Sequence, residues 1–234
     1  MEQKKTFKQV LLKYLAEIII IVIGVSISIT MNQWQNEKKA TQDEVELLKE
    51  IQHDLVQDSA TFATYSQIIE QNIKWGLPLV IQDDLEAIED SLLFFISVVP
   101  NFVPFEGTTV GYTYLKGLGG FNLIEDKLLL KDIIQIYSSY YPKLELFSNS
   151  QSKYIQEQII PYYNRNIPLI TSIKLEGMGA QLEPLMAAIQ SQEYRNMVKV
   201  HLSMMNQYLN AYKATNQKIR PLLEKIRQEI KIKE

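Results

Sequence analysis

Ile18–Met31 reads IIIIVIGVSISITM and contains no charged residue. Extended to Tyr14 on one side and Trp34 on the other, the stretch covers about 20 residues, the length needed to cross about 30 Å of hydrocarbon as a helix. Its Ile and Val residues favour insertion by about 3 to 5 kcal/mol in total. Glu17 lies at the end of the stretch, where a charge costs less than at the centre. A core helix of a soluble domain would show a polar face, and this run has none. A cleaved leader is also disfavoured. The apolar run is too long, and the sequence after it, Asn32-Gln33-Trp34-Gln35-Asn36-Glu37, offers no small-x-small cleavage site. The stretch is read as an uncleaved anchor, with Tyr14 and Trp34 at the two membrane–water boundaries.

Outward from this segment, Lys4, Lys5, Lys8 and Lys13 precede it, and Lys38, Lys39 and Lys49 follow it. The small basic excess on the N-terminal side favours a cytoplasmic N-terminus. The expected organisation is a short basic cytoplasmic tail (1–13), a transmembrane helix (14–33) and an extramembrane domain (34–234), placed in the periplasm. Gly24 and Ser28 are four residues apart and form a small-xxx-small pair, with Glu17 two turns earlier on roughly the same side. These three residues are the candidate helix–helix contact within the membrane.

The residues Lys13-Tyr14-Leu15-Ala16-Glu17-Ile18-Ile19, then Val22-Ile23-Gly24, then Asn32, Trp34 and Glu37, form an ordered pattern of basic tail, apolar span and polar aromatic exit. This pattern resembles the start of an uncharacterised bacterial membrane family, domain of unknown function 6090. Tyr114-Leu115-Lys116-Gly117 and Leu123-Ile124-Glu125-Asp126-Lys127 resemble a later piece of that family. The resemblance implies a single-pass envelope protein of Gram-negative bacteria and implies no activity. The chain departs from the family pattern at Ser26 and Ser28, where apolar or small residues are usual, and at Ala16, where Gly is usual.

After the span the pattern is helical throughout. Val45, Leu48, Ile51, Leu55, Phe62, Tyr65, Ile69 and Ile73 recur at steps of three, four or seven and predict one long helix from Lys38 to about Ile73. Glu46, Lys49, Glu50 and Asp54 are assigned to its outer face. Trp75-Gly76-Leu77-Pro78 ends it. A second helix is expected from Asp83 or Asp84 to about Val98. A short one opens at Thr108 and stops near Gly117-Leu118-Gly119-Gly120. Another runs from Glu125 to about Ile160, with a bend or break at Pro142. Pro161–Gly179 reads as irregular. From Gln192 to about Ile232, Val198, Met205, Tyr212, Ile219 and Ile226 fall seven apart, and Leu202, Leu209, Leu223 and Ile230 fall four after members of that series. This predicts a coiled-coil or bundle seam, with a kink or restart at Pro221. The fold class is therefore all-α: one N-terminal transmembrane helix followed by an elongated helical bundle.

Several chemistries are disfavoured. A net charge of -3 gives no general attraction to nucleic acid. The absence of cysteine removes disulfides, thiolate nucleophiles and Cys-type metal sites. His53 and His201, the only histidines, lack a second histidine at metal-ligand spacing and read as residues at the edge of a helical seam. The glycines of Lys116–Gly120 follow a helix, so they read as a helix stop and not as a phosphate loop. Asp83-Asp84 and Glu125-Asp126 suit helix N-termini. The tyrosines Tyr112, Tyr114, Tyr137, Tyr140, Tyr141, Tyr154, Tyr162 and Tyr163 read as core, with a groove as the alternative.

No catalytic, cofactor-binding or metal site is expected. The expected role is a non-catalytic, single-pass protein of the bacterial inner membrane. It would act through a lipid bilayer and a protein partner, either a second copy or another envelope protein. One alternative is a membrane sensor or ion-conducting oligomer using Glu17. Another is an enzyme with a site of unrecognised type.

Overall fold

The computed structural model describes residues 2–81, 89–117, 119–169 and 175–234. Its axis is a single helix, α1 (Glu2–Gly76), whose 75 residues extend about 110 Å. The membrane-span pattern and the amphipathic pattern that follows it therefore lie on one unbroken rod. From Val10 to Ala40 every residue is exposed. From Glu44 onward the residues at steps of three and four are buried, among them Leu47, Leu48, Ile51, Leu55, Phe62 and Ile69.

The domain is assembled on this second half of α1. After the short α2 (Pro78–Ile81) come α3 (Glu89–Val98) and α4 (Val110–Gly117). The sequence-expected start of α3 at Asp83 or Asp84 falls outside the described residues. Next come α5 (Lys127–Gln135), α6 (Tyr141–Tyr154) and α7 (Ile160–Asn166). They are joined by two single wide turns, Ile136–Tyr140 and Ile155–Ile159, in which hydrogen bonds reach back five residues. Each wide turn ends two residues before a proline, Pro142 or Pro161. A proline ring clashes with the carbonyl four residues back, and widening the preceding turn relieves the clash without ending the helix. This corrects the expected break at Pro142 and the irregular reading of the stretch from Pro161: helix continues to Asn166. Residues 167–169 are irregular, as expected, and further on a tight helical turn, Leu175–Gln181, interrupted at Gly179 (φ 53°), leads into α8 (Leu182–Gln190).

The last helix, α9 (Gln192–Lys233), runs unbroken through Pro221 and antiparallel to α1. Asn216 Nδ2 donates to the Ser59 carbonyl at 3.1 Å, and Lys233 pairs with Glu44 at 2.8 Å. Every residue of the predicted seam is buried, and so are Tyr194, Met197, His201, Tyr208 and Leu222. A seam this wide fits a helix gripped on more than one side, here by α1 and α6. Among the described residues there is no strand, so the all-α expectation stands.

The centre of the core is aromatic. The Phe62 ring lies 5.9 Å from Phe105, 5.7 Å from Tyr141 and 5.2 Å from Tyr212. Most of the tyrosine group is core or packs against it, but Tyr114 is exposed. Gly111 allows α4 to lie against α1, since a Cβ there would meet the Ile51 backbone nitrogen at 2.8 Å. Gly119 turns the chain after α4 with φ of 75°.

Candidate functional site

Two features are candidates: the exposed first half of α1, and a set of ionisable groups inside the domain. The first is long and apolar enough to cross a membrane, and no part of its apolar window is buried. The run of Ile and Val residues is more than half exposed side by side, from Ile18 to Ile29. Such a surface exceeds what a soluble monomer ordinarily leaves open to water. Tyr14 and Trp34 are both exposed and 20 positions apart, about 30 Å along the axis. The Lys38 ammonium lies 5.6 Å from the Trp34 ring centroid, which pairs a cation with an aromatic face.

Glu17, Gly24 and Ser28 share one side of the rod, at intervals of seven and four. Nothing lies within 4 Å of the space a Gly24 Cβ would fill. Ser28 Oγ donates to the Gly24 carbonyl at 2.9 Å, and Thr30 Oγ1 donates to the Ser26 carbonyl at 2.9 Å. Each hydroxyl proton is thus satisfied within the helix, which lowers the cost of placing these residues in an apolar medium.

The interior groups belong largely to α1. Asp54 is buried, which corrects its assignment to the outer face; Glu44 and Asp58 are buried too. All three accept hydrogen bonds at the starts of other helices, where backbone N–H groups lack partners. Asp58 accepts from the Thr108 backbone nitrogen at 2.9 Å, from Thr108 Oγ1 at 2.8 Å and from the Tyr141 hydroxyl. Asp54 accepts from the Gly111 nitrogen at 2.7 Å, and Glu44 from the Glu125 nitrogen at 2.9 Å. Burial pushes the Asp58 carboxyl up, and the hydrogen bonds from Tyr141 and Thr108 oppose it. The same burial, with Asp58 nearby, pushes the Tyr141 phenol up.

Lys233 closes the base of the domain, 2.8 Å from Glu44 and 2.7 Å from Glu125. Burial pulls its ammonium down, but its bonds and charge attraction to the two glutamates outweigh this and the net shift is upward.

His201 is fully buried, with Tyr154 stacked parallel to it at 6.4 Å between ring centroids. The expected seam-edge position is therefore corrected. Burial lowers its pKa to about 4, and the Val99 backbone works the other way. His53 is exposed on the outer face of α1.

The sequence reading missed the buried carboxylates, although a signal existed for one. Asp58 falls three after Leu55 and four before Phe62, inside the apolar stripe. An acidic residue in such a register has to find donors, and helix starts supply them. Compared with protein-family models, curated proteins and solved structures, the chain gives no match.

Proposed function

We propose that this chain is a non-catalytic, single-pass, membrane-anchored protein of the bacterial envelope. It acts by binding a protein, either a second copy of itself or another envelope component. The observation that carries the reading is the exposed apolar run of α1, continuous with the helix on which the domain is built. A lipid bilayer is the environment that such a surface suits. The interior carboxylates support a scaffold, because their acceptor capacity goes to helix starts and not to a solvent-facing cleft. The lysine bias favours an inner-membrane orientation with the N-terminus cytoplasmic and the domain periplasmic. The resemblance of the first part of the chain to domain of unknown function 6090 supports the same placement.

Two measurements test the reading. Gly177 is exposed, and Gly177→Cys should react with a membrane-impermeant thiol reagent in intact spheroplasts. Labelling only after lysis would overturn the orientation. Amine-directed crosslinking of native membranes should give a larger species containing the chain. Recovery of the uncrosslinked monomer alone, under conditions that crosslink a known envelope complex, would overturn the protein-binding role.

A further inference from the structure

We propose that the base of the domain binds the phosphoethanolamine head of a phospholipid from the bilayer that holds α1. The inference rests on the membrane-anchored reading above. It begins from a cleft of about 560 Å³ between α1 and the last turn of α9, whose charged lining is Lys38, Glu46, Lys49, Lys233 and Glu234, with Thr41 and Gln42 between. Val45 adds an apolar patch to its wall.

The position of the cleft is fixed by the continuity of α1. Trp34 marks the boundary of the hydrocarbon. Lys38 is four residues beyond it, about 6 Å along the axis, and Gln42 is about 12 Å beyond it. The headgroup layer is about 5 to 8 Å thick on each side. Side chains on a helix lean toward its N-terminus, which here is toward the bilayer, so Glu46 reaches down to the level of Gln42. A helix tilt of about 20°, ordinary for membrane spans, lowers one side of the domain further. The Lys38 end of the cleft therefore lies at the height of lipid heads, and Gln42 and Glu46 stand at their outer edge.

The chemistry of the lining selects the head. Lys49 and Glu234 pair with each other at 2.6 Å, and Lys233 faces inward to Glu44 and Glu125. Lys38 and Glu46 remain: among the described residues neither has an oppositely charged partner, and the Lys38 ammonium lies over the Trp34 ring, at the bilayer end of the cleft. One cation nearer the bilayer and one carboxylate farther out match a phosphate below and an ammonium above. The Gln42 amide can donate to the phosphate. A primary ammonium donates hydrogen bonds to Glu46, whereas a trimethylammonium cannot. A glycerol head brings no cation at all. The predicted order is phosphatidylethanolamine over phosphatidylcholine and phosphatidylglycerol.

The whole chain is reconstituted in nanodiscs containing equal parts of these three lipids with identical acyl chains. It is then released into mild detergent, and the retained lipids are counted by native mass spectrometry. Phosphatidylethanolamine should be retained over phosphatidylcholine by about threefold, the scale of an exposed charge pair. Glu46→Ala, at an exposed position, should bring the ratio toward parity, Lys38→Ala, also at an exposed position, should lower retention of all three lipids because their phosphates share that contact, and Glu46→Lys should shift retention to phosphatidylglycerol. Equal retention of all three lipids by the unaltered chain, or a preference unchanged in every variant, would overturn the proposal. So would free phosphoethanolamine displacing the lipid at equal concentration, which would make the cleft a solute site. A chain that fails to enter nanodiscs refutes the anchor and this inference together; one that enters without lipid preference refutes the inference alone.

Discussion

The two halves of α1 share one backbone and meet opposite surroundings. From Val10 to Ala40 no residue is buried, whereas from Glu44 to Gly76 about two in five are. The first half is the more hydrophobic, yet it is the second half that forms a core. Hydrophobicity alone therefore does not decide burial within the chain. Periodicity does: a stripe repeating every three to four residues gives other helices a face to cover, and an all-round apolar cylinder offers no polar edge at which a covering layer can stop.

The comparison can be broken most forcefully in the first half. Ile21→Arg with Val25→Arg puts two charges in mid-span, each costing about 2.5 to 3.5 kcal/mol, which cancels the favourable insertion energy of the stretch. The double variant should move from the pellet to the supernatant on alkaline extraction of membranes, while the melting temperature of the domain stays unchanged. Continued pelleting would mean that the exposed run is not a span.

The mirror experiment lies in the second half. Phe62 is fully buried among aromatic rings, and Phe62→Ala should destabilise the domain by about 3 to 5 kcal/mol. Thermal unfolding in detergent should fall by roughly 2 to 4 °C for each kcal/mol. The variant should remain in the membrane pellet. Loss of both properties together would show that the halves are not independent.

His201 sharpens the contrast by pH, since it titrates the domain alone. Its folded pKa of about 4 lies below the ordinary 6.5. The unfolded chain therefore binds a proton first as the medium acidifies. The stability is fully present above pH 6.5 and is lost progressively as pH falls toward 4, by about 3 kcal/mol in all. Asp58 works in the opposite sense, because its raised carboxyl pKa favours the folded state as acid protonates it. Urea midpoints between pH 7 and 4 should fall in the native chain and flatten in His201→Leu. An equal slope in both would remove His201 as the cause.

The smallest effect concerns the face of the first half that holds Gly24 and Ser28. Gly24→Leu with Ser28→Leu should weaken crosslinking between membrane-embedded copies by about 1 kcal/mol, roughly fivefold, with insertion intact. Unchanged crosslinking would leave this half as an anchor only.

Much of this architecture was legible from residue order. The heptad positions of α9 and the stripe of α1 marked their buried faces, because long helices average over many contacts. The Trp75–Pro78 stop and the Gly117–Gly120 stop were legible for local reasons, as glycine and proline act on their own backbone. Four things were not. The helix through Pro142 and Pro161 depends on wide turns, which leave no composition signal. The burial of Asp54 depends on the nitrogen of Gly111, 57 residues away in sequence. His201 looks like an edge residue until α6 brings Tyr154 over it. The base cleft was invisible for the same reason, since α9 contributes its far wall.

The antiparallel clasp between α1 and α9 has a mechanical consequence. Lys233 fastens the end of α9 to α1 at the end of the domain nearer the exposed apolar run, and the seam runs from there to the contact of Leu202 with Gly76. A load applied through the first half of α1, and resisted at any other helix, crosses this seam as shear. Its rows of side chains must slip together, whereas peeling would part them one at a time. Resistance to such a pull scales with the length of the overlap, so the long clasp of α1 and α9 resists a force along the rod better than one across it.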